Sequence, residues 1–207
     1  MTTVDILITR LQNDFDCRLT TSQILSILNT LERRLAVDIV RKTQTRTYDV
    51  EPGKKIYELD VDESYVTRVF VNGREIQRRY SYVSDGYICE YGCIVFSEAF
   101  DSGEIYIEYL VVPDEIYEED ITYRTLFLGY GHDEIYLYHI LSREALMSGN
   151  IDMLNNYSLL YAEALNALKA EIANAPKGEA PQDETPKDET PEDEEQNFIA
   201  TSYKNIW

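Results

Sequence analysis

Apolar residues recur at helical spacing through the first forty positions. Val4, Ile6, Leu7, Leu11 and Phe15 follow Thr2-Thr3, which can cap, and predict a short helix that weakens at Asn13-Asp14 and Asp16. Thr20 and Gln23 form a capping-box pattern. Beyond it Ile24, Leu28, Leu31, Leu35 and Ile39 fall three or four apart, with Leu25 and Ile27 widening the stripe. Glu32, Arg33 and Arg34 are expected on or near the opposite face. Two such helices bury their stripes against each other and against a further element.

From Thr43 the period changes to two. Thr43, Thr45 and Thr47 alternate with polar partners, and Pro52-Gly53 turns the chain. Ile56–Leu59 and Tyr65–Val71 read as strands, and Asn72-Gly73 is the strongest short hairpin signal in the chain. A strand is expected over Glu75–Val83, a turn at Ser84-Asp85-Gly86, one continuing strand over Tyr87–Phe96, a turn at Asp101-Ser102-Gly103 and a last strand over Glu104–Val112. Six or seven strands with short polar turns predict an antiparallel meander, a small sandwich or a partly closed barrel. Pro113 closes this region. Two helices are then predicted over 133–148 and 151–174, broken at Gly149-Asn150, the second with Met153, Leu154, Tyr157, Leu160, Tyr161, Ala164, Leu165 and Leu168 along one side. The fold class is therefore α+β: an N-terminal helix pair, a central antiparallel β-sheet or small barrel, and a C-terminal helix pair.

At Ala175 the pattern ends. Pro176, Pro181, Pro186 and Pro191 repeat every five residues through an acidic stretch, residues 175–196, that carries nine acids and two lysines. Such a segment buries too little apolar surface to fold, so an extended, self-repelling linker is expected, able to reach about 60 Å. After it, residues 197–207 are apolar again, with Phe198, Ile199, Tyr203, Ile206 and Trp207, the chain's single tryptophan. We read 1–174 as one α+β domain, 175–196 as a linker and 197–207 as a docking peptide. Tethering raises the peptide's effective concentration, so even a weak contact by these five side chains holds within an assembly.

Net charge changes the functional picture. At −19 over 207 residues the chain lacks the clustered Lys and Arg that grip phosphates, but it suits a wall that DNA passes without adhering. Seventeen tyrosines favour protein contact, where the ring offers large area and one polar handle. No apolar run approaches the roughly 18 residues of a membrane span, and no basic-then-apolar leader opens the chain, so a cytoplasmic origin and no membrane partner are expected. Cys17, Cys89 and Cys93 do not have zinc-knuckle spacing and His132 and His139 are seven apart, so no metal or other cofactor is expected, and the thiols read as buried or half-buried on strands. Gly129-Tyr130-Gly131-His132-Asp133-Glu134 is the best candidate for chemistry, yet the two acids read more simply as first-turn residues of a helix. No nucleophile elbow, phosphate loop or zinc-protease motif occurs, and no enzyme is expected.

Taken in order and spacing, these elements resemble the head-to-tail adaptors of tailed bacteriophages, the head-completion or tail-tubular-A-like family. Leu25, Leu28, Asn29 and Glu32 resemble its frequent helix motif. Tyr57-Glu58-Leu59 and Val66–Gly73 are similar to its strand signature, Tyr109–Pro113 to its strand-then-proline ending, and Leu141–Ala167 to its C-terminal helix pair. Asp60 departs from the proline common there, and the proline-acidic tail has no counterpart we recognise. The resemblance implies a dodecameric ring in the virion neck, assembled in the bacterial cytoplasm. Its partners would be the portal protein, neighbouring copies of the chain, and tail or further ring proteins, with DNA passing through the channel without specific binding. The Asn72-Gly73 tip would face ring or tail contacts. Another virion connector, such as a stopper or tail-completion ring protein, is the alternative, and four helices favour the adaptor. A non-viral binding module using the acidic tail is a third reading.

Overall fold

A computed structural model describes residues 3–79, 85–129 and 131–175. The proline-acidic linker from Pro176 onward and the 197–207 peptide lie outside the described residues, as do residues 80–83 of the strand expected over Glu75–Val83, whose described part is a strand only as far as Ile76.

Helix α1 (Val4–Phe15) begins where Thr3 accepts the Ile6 N–H, and stops where Asp16 turns left-handed at φ 50°. Its buried side chains are Val4, Leu7, Ile8 and Leu11, spaced for one face; Ile6, expected in the stripe, points to solvent. Helix α2 (Thr21–Arg34) carries the predicted capping box. Thr20 Oγ1 accepts the Gln23 N–H at 3.3 Å while Gln23 Oε1 accepts the Thr20 N–H at 2.9 Å. A π-helical turn, Leu35–Val40, prolongs it.

Seven strands follow among the described residues: β1 (Thr43–Asp49), β2 (Ile56–Glu58), β3 (Val66–Val71), β4 (Arg74–Ile76), β5 (Tyr87–Glu90), β6 (Cys93–Phe96) and β7 (Glu104–Leu110). They form two antiparallel sheets, β1-β7-β3-β4 and β2-β6-β5, around a core of Tyr57, Val69, Tyr87, Ile94, Phe96, Ile105 and Ile107. A meander does not result, because β7 inserts between β1 and β3, and the division into two separate sheets leaves no closed barrel. The single strand expected over Tyr87–Phe96 is a hairpin: Glu90 pairs with Cys93 across a two-residue turn in which Tyr91 and Gly92 both have positive φ. β1 lies at a sheet edge with only Tyr48 even half-buried, so its threonines face no core.

Helices α3 (Asp133–Ser148) and α4 (Ile151–Asn174) are joined where Gly149 turns left-handed at φ 72° and Asn150 Oδ1 accepts the Met153 N–H. α3 is central. Its Ile135, Tyr136, Leu137, Ile140 and Leu141 share one core with α1, α2 and Leu168 of α4. Cys89 and Cys93 are half-buried strand residues as expected, whereas Cys17 is buried in the loop after α1, where burial pushes its thiol up to about 11.

Candidate interaction surfaces

One face of α2 fastens the long connection between the sheet and α3. Asn29 makes a two-way bond to Ile116, its Nδ2 donating to the carbonyl at 3.1 Å and its Oδ1 accepting the N–H at 2.9 Å. One turn on, Glu32 is only 2% exposed and accepts the Phe127 N–H at 2.8 Å. Burial raises its carboxyl above the usual range, against the opposing pull of the Phe127 bond and Arg124. Beside it the Tyr136 hydroxyl accepts the Leu128 N–H at 3.0 Å, and burial holds that phenol well above an ordinary tyrosine. Glu32 was expected on the polar face. The i, i+3 spacing from Asn29 does not show that the 111–132 segment returns over that face, so the sequence reading missed it.

The predicted Asn72-Gly73 tip exists, and both residues are exposed. Asn72, at φ 51°, uses its amide within the subunit: Nδ2 donates to Ser102 at 3.0 Å and Oδ1 accepts the Glu104 N–H at 3.1 Å. A Cβ on Gly103 would overlap that amide, so glycine there lets the two turns lock together. Phe198, Ile199, Tyr203, Ile206 and Trp207 lie outside the described residues. In the 129–134 segment, Asp133 and Glu134 occupy the first turn of α3, and His132 Nε2 lies 3.8 Å from Glu171 on α4. No group of three or more possible metal ligands occurs among the described residues.

Two exposed features stand out. The first is α4. Of its 24 residues only Leu168 is buried, and Met153, placed on the core side from sequence, is exposed. Tyr157, Tyr161, Ala164 and Leu165 pack against the core, yet Leu146, Met147 and Ile151 around the α3–α4 junction and Leu159 (60% exposed) face outward. From Met153 to Ala162 the helix has no charged residue, in a chain that is 28% charged. The second is Tyr91, 94% exposed at the tip of the β5–β6 hairpin. Reading Tyr87–Phe96 as one strand concealed this turn.

A hollow of about 710 Å³ forms an open groove between α2 and the 115–118 segment, with Arg33 paired to Glu115 at 3.3 Å on its wall. Both arginines of that groove are paired, Arg34 with Asp38 at 3.8 Å, whereas the outward apolar side chains of the α3–α4 region and of the hairpin tip are of the kind that protein contacts use. The particular family is given by comparison: residues 2–183 match the family described as SU10 adaptor protein, and the chain belongs to that family of phage head-to-tail adaptors. No curated protein matches it in sequence.

Proposed function

We propose that the chain assembles as a ring, dodecameric by family resemblance, that attaches to the portal protein, extends the DNA channel and carries the tail or further ring proteins, without catalysis. Membership of the adaptor family supports the role, and the observation that carries self-association is α4. A helix that is exposed along most of its length yet uncharged over Met153–Ala162 has the composition of an interface core rather than a solvated face. Copies of a −19 chain repel one another, so their contact is favoured where charge is sparse.

The Phe198–Trp207 peptide docks on a neighbour in the neck at the end of its acidic tether, and the Asn72-Gly73 tip faces ring or tail contacts. Surplus carboxylates turned to the lumen keep passing DNA from adhering. A lumen found neutral or basic in the assembled ring would remove that last element. The decisive measurement is mass photometry of the chain mixed with the portal protein of the same genome, with and without residues 197–207. A portal-bound ring lost on truncation establishes an adaptor held by its tethered peptide. A ring that survives truncation keeps the adaptor and assigns the peptide to a tail-side partner. No association in either mixture overturns the proposal.

A further inference from the structure

Tyr91 occupies a position where the fold has no use for a tyrosine. Its backbone lies in the left-handed region at φ 52°, where a Cβ crowds the following carbonyl and where asparagine or glycine is the ordinary occupant of a two-residue hairpin turn. The chain uses that ordinary pair, Asn72-Gly73, at its other tight hairpin. Nor does the side chain repay the strain by burial, since it is the most exposed of the large apolar or aromatic residues described.

The turn that carries it is nevertheless held firmly. The Gly92 N–H donates to Glu63 Oε2 at 2.6 Å, and the Gly92 carbonyl accepts the Leu59 N–H at 2.8 Å. These bonds tie the tip to the segment leading into β3, so the ring is presented from a fixed base. Ordering costs on binding are correspondingly small, as suits an anchoring aromatic. The surroundings are mainly acidic, with Arg78 bridged to Tyr87 at the far end of β5 and Arg46 already paired to Asp60 at 3.2 Å. Glu90 and Glu58 flank Cys93 across neighbouring strands, Glu63 touches the turn itself, and no lysine or arginine occurs in 57–65 or 87–93.

We infer that Tyr91 is a docking anchor for a protein other than this chain, received in a pocket lined by arginine or lysine. A cation there meets the ring face and the flanking carboxylates together. A second copy fits poorly, because it would bring further net negative charge to an already acidic tip. The inference rests on the adaptor reading, which supplies neighbouring virion proteins as candidates.

Two measurements test it. Particles are assembled with the full chain carrying Tyr91→p-benzoylphenylalanine and irradiated. The expected result is an adduct with a different virion protein, whose cross-linked peptide has Arg or Lys within a few residues of the attachment point. An adduct between two copies, an adduct with a peptide devoid of basic residues, or no adduct in particles that contain the chain overturns the inference. Particles that lack the chain altogether overturn the adaptor reading itself, and this inference with it.

The second variant, Tyr91→Asn, separates docking from folding. Relieving the left-handed strain is expected to raise its melting temperature by about 2–4 °C. Its affinity for the cross-linked partner is expected to fall at least tenfold, roughly the loss on removing an anchoring aromatic. A lowered melting temperature would show that Tyr91 serves the fold instead, and unchanged affinity would overturn the docking role.

Discussion

Glu32 and His139 show how burial sets the behaviour of single titratable groups. Glu32→Gln keeps an acceptor for the Phe127 N–H and removes a desolvated charge, so stability at pH 7 is expected to hold or rise within about 1 kcal/mol. Glu32→Ala leaves that N–H unpaired beside a cavity, and urea unfolding should show a loss of about 2–4 kcal/mol. His139 lies under Tyr161, ring centroids 4.9 Å apart, and burial, with Arg143 and Arg34 nearby, lowers its pKa to about 4. The unfolded chain therefore binds this proton first as pH falls. Its contribution is intact above about pH 6.5 and is lost between there and about pH 4, about 3 kcal/mol in all. Glu32 acts in the opposite sense, because its raised carboxyl favours the folded state as pH falls. Thermal unfolding of His139→Gln should accordingly flatten between pH 6.5 and 4, whereas Glu32→Gln should steepen the decline.

Among the elements, α2 is defined locally and the hairpins depend on their neighbours. Thr20→Ala removes the acceptor for the Gln23 N–H and should cost about 1 kcal/mol in denaturant unfolding. At the Asn72-Gly73 tip the amide joins two turns. Asn72→Ala should cost about 1–3 kcal/mol through the orphaned Glu104 N–H and the left-handed backbone, a larger effect than an exposed turn residue ordinarily has. Asn29 and Glu32 have the same character. Both sit on a helix formed by local spacing, and each holds a segment more than 80 residues away in sequence.

For the whole molecule the distinguishing property is apolar surface left uncovered on a strongly acidic body. Leu159 is exposed, so Leu159→Asp is expected to leave the melting temperature of the isolated subunit within about 1–2 °C. The same change sets a charge into the proposed contact between copies, so portal-bound rings seen by mass photometry should be lost. Retention of intact rings by that variant would place the contact elsewhere. Repulsion between −19 subunits also predicts that ring formation strengthens as salt rises from about 0.05 to 0.5 M, opposite to a contact made by ion pairs.

What could be read from sequence alone was whatever rests on short-range periodicity and turn chemistry. The four helices, the Thr20–Gln23 capping box, the Gly149-Asn150 break and the Asn72-Gly73 hairpin follow from residues within a few positions of one another. So does the family resemblance, which is a matter of order and spacing. The tertiary structure alone decided which polar residues are buried and which apolar ones are not. Glu32 lies inside because a distant loop returns over α2, while Leu159 and Ile6 lie outside because no part of the described fold reaches them. The order β1-β7-β3-β4 was likewise beyond the pattern, since period-two alternation marks the face of a strand and carries nothing about its neighbour. Tyr91 belongs with these: its meaning comes from a backbone angle and an exposure, and both are set by how two strands close rather than by the residue itself.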